Sequence, residues 1–225
     1  QVWQEKFDRG LDFVAMGSEP SWSLEFDLEK TLSFTAMGAQ QTTVTMPVPE
    51  PVMLQSPDGV VYSANTEAGQ LRVEMRKISC TDQMAGNRFP YSVSVTANGR
   101  TFEGCGMYLY DQKLSGKWVL QELNGKTINA DALPRGIPTL VIYPEQGKVH
   151  GSGGCNRING AIEIKGDKIT FNQMAVTRMA CPNMLVEDEF LRLLSGNKLL
   201  YQVQNGQLML QMDGRTVMVF KREVY

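Results

Sequence analysis

The stretch Leu199-Leu200-Tyr201-Gln202-Val203-Gln204-Asn205-Gly206-Gln207-Leu208-Met209-Leu210-Gln211-Met212-Asp213-Gly214-Arg215-Thr216-Val217-Met218-Val219-Phe220-Lys221 decides the fold class. It reads as three strands, 199–203, 207–212 and 216–221, joined by Asn205-Gly206 and Asp213-Gly214. Asn-Gly and Asp-Gly suit two-residue turns whose central residues take positive φ, and such turns match the twist of an antiparallel pair. Working back, the period changes to that of a helix at about 182–195. Val186, Phe190, Leu193 and Leu194 fall there at i, i+4, i+7 and i+8, one face of a helix. Pro182 suits a first turn, Glu187, Asp188 and Glu189 read as a solvated, dipole-matched first half, and Gly196 ends the pattern. Strands are expected again at 168–171, 140–143 and 118–123, the last closed by Asn124-Gly125.

The first half repeats the alternation at 11–16, 22–26, 32–36, 60–62, 71–75 and 91–95, and Asn98-Gly99 leads into 101–103. Pro47, Pro49 and Pro51 mark a loop or a sheet edge. No helix is expected before residue 112. The pattern restarts near 111–116, which divides the chain into 1–112 and 113–225. With 225 residues, two small domains of about 110 each are the natural size. The fold class is mainly β: two small antiparallel barrel-like or sheet domains, the second with one helix.

Charge excludes one class of function. The 22 Lys+Arg and 24 Asp+Glu leave a net −2, without the basic excess of a nucleic-acid binder. That balance hides 8 basic and 14 acidic residues in 1–112 against 14 and 10 in 113–225, an asymmetry that suits two halves facing each other, a second half facing an anionic surface, or chance. No apolar run approaches the roughly 18 residues of a membrane span. The single histidine, His150, removes His-rich metal sites and leaves one candidate imidazole. It follows Val149, which the strand pattern points inward, so His150 is expected at the surface without an orienting partner. Gly151-Ser152-Gly153-Gly154-Cys155-Asn156 lacks the Lys-Ser/Thr pair and following helix of a phosphate loop, and reads as a bend or bulge. Thirteen methionines include Met209, Met212 and Met218 in alternating strands, where core packing is their ordinary use. Neither a cofactor nor a metal site is expected.

Four cysteines, Cys80, Cys105, Cys155 and Cys181, allow three disulfide pairings, and four buried thiols are the alternative. They lack the close pairs of a zinc site. Pairing within each half is favoured and would contribute on the order of 3 kcal/mol per loop. Disulfides would place the chain in an oxidising compartment. Gln1 is not an initiator Met, and the expectation is a mature chain whose targeting segment has been removed.

From Gly116-Lys117-Trp118-Val119-Leu120, through Gly151-Ser152-Gly153-Gly154-Cys155-Asn156-Arg157-Ile158-Asn159-Gly160 and Thr177-Arg178-Met179-Ala180-Cys181, to Phe220, the chain resembles the META/HslJ-like family. That resemblance implies a compact antiparallel sheet or partial barrel closed by one helix, in an envelope or secreted protein, in many members a lipoprotein. It also implies links to heat shock, antibiotic tolerance or virulence rather than a defined reaction. The first half is similar to uncharacterised bacterial envelope proteins, through Phe13-Val14-Ala15-Met16-Gly17-Ser18-Glu19-Pro20-Ser21-Trp22, Cys80-Thr81-Asp82-Gln83-Met84-Ala85-Gly86, Phe89-Pro90-Tyr91 and Gly104-Cys105-Gly106. Its cysteine arrangement loosely resembles membrane-bound inhibitors of C-type lysozyme, with Ala85 where their loop carries a hydroxyl.

These features lead to a non-catalytic cell-envelope protein of the periplasm, outer membrane or cell surface, a binding or structural module in stress tolerance. A lipid anchor upstream of Gln1 belongs to the same expectation. The alternatives are an inhibitor of a secreted, lysozyme-like hydrolase and a barrel for a small hydrophobic ligand. The partner would be an envelope protein or that ligand. Candidate binding residues are Glu19, Trp22, Asp82, Met84, Arg88, Asn156, Arg157 and Arg178. Trp22 is expected to plug a barrel end in preference to walling a groove, with Glu19 able to accept its indole hydrogen. Cys155, Arg157 and Arg178 are the residues to test should the protein be an enzyme.

Overall fold

The computed structural model describes residues 2–38, 41–67, 69–133 and 135–223. Two compact units divide the chain, Gln1–Leu109 and Tyr110–Tyr225, three residues before the division read from the sequence. The shift has a local cause. Leu109 donates its N–H to the Asp12 carbonyl in the first unit, whereas Leu114, in a short turn capped by the Asp111 carboxylate, is buried in the core of the second.

Unit 1 begins with α1 (Val2–Asp8), which corrects the expectation of no helix before residue 112. None of its side chains is buried, so no apolar stripe announces it. Lys6 ties it to Glu25 through an ion pair. The strands that follow are β1 (Phe13–Ser18), β2 (Ser21–Asp27), β3 (Thr31–Ala36), β4 (Thr42–Pro47), β5 (Val52–Gln55), β6 (Asp58–Thr66), β7 (Gly69–Arg76), β8 (Cys80–Thr81), β9 (Arg88–Phe89), β10 (Tyr91–Ala97) and β11 (Arg100–Tyr108). Nine of them form one antiparallel sheet in the order β4-β3-β2-β1-β11-β10-β7-β6-β5, curled into a half-barrel. The remaining two, β8 and β9, pair as a short ribbon. Alternate residues line the core, among them Phe13, Leu24, Phe26, Phe34, Val73, Met75, Val93 and Val95. Both residues of the Asn98-Gly99 turn take positive φ, the geometry of a tight hairpin.

Unit 2 comprises β12 (Gly116–Leu123), β13 (Lys126–Thr127), β14 (Thr139–Tyr143), β15 (Lys148–Ser152), β16 (Arg157–Lys165), β17 (Lys168–Phe171), β18 (Ala175–Val176), α2 (Leu185–Leu194), β19 (Lys198–Gln204), β20 (Gln207–Met212) and β21 (Arg215–Arg222). Eight strands close into a barrel because β12 pairs with both β14 and β21. Irregular register at Leu120/Glu122 and Leu210/Gln211 accompanies the closure, as expected where bulges sharpen strand twist. Trp118, Leu140, Ile142, Phe171, Phe190 and Phe220 occupy the interior without exposure. Phe190, Leu193 and Leu194 come from the buried face of α2.

That helix starts at Leu185, three residues after the proline expected to open it. Asn183 takes positive φ, which ends any helical run through 182–184. No helix among the described residues is long and apolar enough to cross a membrane.

Candidate functional site

The most organised polar cluster lies where β15 turns into β16. Gly153 N–H donates to the Asn156 carbonyl at 2.8 Å, and Gly154 N–H to the Ser152 hydroxyl at 3.0 Å. Above this turn sits the first turn of α2, with Glu187. Its Oε2 accepts from the backbone N–H of Cys155 (2.8 Å) and of Asn156 (2.6 Å). Its Oε1 accepts from Asn156 Nδ2 at 2.6 Å. Asn156 Oδ1 in turn accepts from the Thr177 hydroxyl (3.0 Å) and the Met179 N–H (2.7 Å). Thr177 Oγ1 receives the Arg157 N–H at 3.0 Å. Asn156 and Glu187 are each 3% exposed, and no buried side-chain N or O among the described residues lacks a partner. A disulfide between Cys155 and Cys181 staples the same two segments.

Glu187 corrects the reading of 187–189 as a solvated acidic face. Asp188 is exposed, and Glu189 pairs with Arg192 at 2.7 Å, but Glu187 turns inward. A signal existed: Glu187 lies three residues before Phe190 and seven before Leu194, so it shares their face. Gly153 explains how the carboxylate comes so close. A Cβ there would meet Glu187 Cγ at 2.6 Å, closer than real side chains approach. Gly153 therefore admits a protein carboxylate, while Gly151 lets the Thr139 carbonyl approach.

Around this network the chain displays cations and apolar tips. Arg135, Arg157 and Arg178 are exposed, Met179 is 44% and Leu185 78% exposed. Arg135, Leu133, Cys155, Cys181 and Asn183 border one small pocket. Arg157 and Thr177 line a neighbouring groove of about 510 Å³ with His150 and Asn159. His150 is exposed while Val149 is buried, and its ring lies 5.2 Å from that of Tyr143. Sequence reasoning singled out Asn156, Arg157 and Arg178 here but missed Glu187, Gly153, Thr177 and Arg135.

In unit 1 the second disulfide joins Cys80 to Cys105. Trp22 is buried on β2, its ring centroid 5.9 Å from Phe34. Its indole N–H donates to the Glu103 carbonyl at 3.2 Å, so Glu19 is not the acceptor; Glu19 is exposed in the β1–β2 turn. Glu19, Asp82 and Glu103 border a groove of about 430 Å³. Asp82 also shapes its own loop, accepting from the N–H groups of Met84 (3.2 Å) and Ala85 (3.0 Å). Met84 stands 82% exposed at the tip, and Arg88 is exposed on β9. Among the described residues no group of three or more His, Cys, Asp or Glu side chains could hold a metal ion.

The family model described as META domain matches residues 112–224, half of the chain. An NMR structure of a protein is 24% identical, covering 48% of this chain and 88% of its own, with a TM-score of 0.39. A second, an NMR structure of a protein from Burkholderia xenovorans, is 25% identical, covering 51% and 86%, with a TM-score of 0.42. No curated protein matches.

Proposed function

This chain belongs to the META domain family through residues 112–224, and on that premise we propose that it is a non-catalytic binding or structural module of the bacterial cell envelope that acts in stress tolerance. The observation that carries this reading is the closure of the Asn156–Glu187 network on itself. A catalytic carboxylate or amide must reach a reacting group, whereas both oxygens of Glu187 accept N–H groups of the β15–β16 turn. The cluster therefore shapes a surface. His150, the one imidazole, is exposed on β15 with its ring tilted against that of Tyr143. Two disulfides fit an oxidising compartment, and the periplasm, outer membrane or cell surface is the setting we propose. Deletion of the gene should lower survival under heat, detergent or hydrophobic antibiotics. Unchanged survival in all three would overturn the proposal.

A second reading, inhibition of a secreted hydrolase, is favoured by the loop between β8 and β9. Asp82 fixes its turn, Cys80–Cys105 anchors its base, and Met84 projects from it. A hydrolase assay at micromolar protein decides it, because loss of inhibition in Met84→Asp is expected if this loop enters a cleft. The hydrophobic-ligand reading has less to rest on in unit 2, whose barrel axis is filled by side chains.

A further inference from the structure

The β15–β16 turn and the 177–185 segment, joined by the Cys155–Cys181 disulfide, form a rim that carries exposed apolar side chains and cations. Leu185, the first residue of α2, is 78% exposed, and Met179 is 44% exposed. Both belong to a segment that the Cys155–Cys181 disulfide and the Asn156 hydrogen bonds hold in place. Large apolar side chains fixed outward in water are an interaction signal when they cluster with a consistent set of polar neighbours. Here those neighbours are Arg135, Arg157 and Arg178, all exposed, with no ion pair to any of the described residues. Of the acids at the start of α2, Glu187 is buried against the turn, Glu189 is paired with Arg192, and Asp188 is exposed.

We propose that this rim docks on an anionic lipid surface, with Met179 and Leu185 entering the headgroup–acyl boundary and the arginines meeting lipid phosphates. Apolar side chains flanked by Lys or Arg are the pattern of interfacial binding. The charge complements an anionic leaflet, where each Lys or Arg adds about fivefold to partitioning. The groove beside Arg157, shared with Thr177, Asn159 and His150, gives a headgroup room next to the guanidinium. Rigidity helps, because a segment already stapled loses little conformational freedom on docking. The inference is independent of the stress-tolerance reading, since it concerns only what this surface meets.

The test is sedimentation of the full chain with vesicles of phosphatidylglycerol and phosphatidylcholine mixtures against phosphatidylcholine alone. Binding to the anionic vesicles only, weakened by raising salt from 0.15 to 0.5 M, is expected. Arg157→Glu/Arg178→Glu should lower it at least about 20-fold, and Met179→Ser/Leu185→Ser about tenfold. Circular dichroism must show each variant folded; a variant that fails it is replaced by the single substitution at Arg178 or Leu185, both exposed. Lys148→Glu/Lys198→Glu changes the charge equally away from the rim and should keep most of the binding. No binding to anionic vesicles, or an equal loss in the Lys148/Lys198 control, overturns the proposal. So does full binding by Met179→Ser/Leu185→Ser together with complete competition by soluble polyphosphate, which would make the rim an anionic-polymer site.

Discussion

Unit 1 and unit 2 use the same materials to opposite ends. Each has alternating strands, at least one tight Asn-Gly hairpin and one disulfide near a turn. Unit 2 closes and unit 1 stays open. In unit 2 the first long strand, β12, meets the last, β21, and α2 delivers Phe190, Leu193 and Leu194 to the interior. In unit 1, β4 and β5 follow one another in the chain yet sit at the two edges of the sheet. Pairing them as a hairpin would complete a ring. Pro47, Pro49 and Pro51 stand at that junction, and proline has no N–H to give to a ladder. The comparison teaches that closure is decided at one junction, with strand content nearly equal. It also places the buried polar network in the closed unit, where a helix must be held against the barrel.

The sharpest way to break the comparison is to remove the carboxylate that joins helix to barrel. Glu187→Ala strands the N–H groups of Cys155 and Asn156 and the Asn156 amide. Buried donors left unpaired cost about 1–3 kcal/mol each, and partial access of water brings the expected total to about 4 kcal/mol. Peptide-resolved hydrogen exchange should show protection falling across 116–222 and holding across 13–108. Equal loss in both units would show that the network does not belong to the barrel alone.

The disulfides come next, and here the two units should behave alike. Their loops span 25 and 26 residues, so loop-closure entropy predicts nearly equal stabilisation of about 3 kcal/mol. Cys80→Ser/Cys105→Ser should weaken unit 1 by that amount, and Cys155→Ser/Cys181→Ser unit 2, both read as urea midpoints. A much larger loss in unit 2 would mean that its disulfide also sets the Asn156 hydrogen bonds. That outcome would sharpen the contrast between a simple staple and a site-building one.

What the sequence reveals follows the range of each interaction. Strands such as β2, β7 and β10 were legible because burial alternates with every residue. The Asn205-Gly206 turn was legible because its chemistry is local. The edge strands β4 and β5 were hidden by the prolines beside them, although an edge was one of the two readings offered for that stretch. Nothing in a local pattern announces that β12 will meet β21 almost a hundred residues later. Within the site, Asn156, Arg157 and Arg178 stood out through their resemblance, while Glu187 was masked by two acidic neighbours on a helix turn. Its place on the face of Phe190 and Leu194 was a signal in the sequence, but the room that Gly153 leaves for it shows only in the fold.

The smallest expected effect belongs to the closed unit and is read by pH. Tyr201 lies inside the barrel, where its hydroxyl accepts the Asp111 N–H at 2.8 Å and donates to the Gly166 carbonyl at 2.9 Å. Burial pushes its pKa well above the ordinary tyrosine value, and Tyr110 of the same unit is also raised by burial. In unit 1, Tyr62 is raised for the same reason. Above pH 10 the unfolded chain gives up these protons while the folded chain retains them, so the folded state binds more protons and stability falls as pH rises. The limit is about 1.4 kcal/mol per pH unit for each fully retained proton. Urea midpoints of unit 2 should therefore fall between pH 9.5 and 11. Tyr201→Phe loses two hydrogen bonds and starts lower at pH 7, but its alkaline decline should be shallower by about 1 kcal/mol over that interval. Parallel declines in wild type and variant would show that Tyr201 ionises as readily in the barrel as in the unfolded chain.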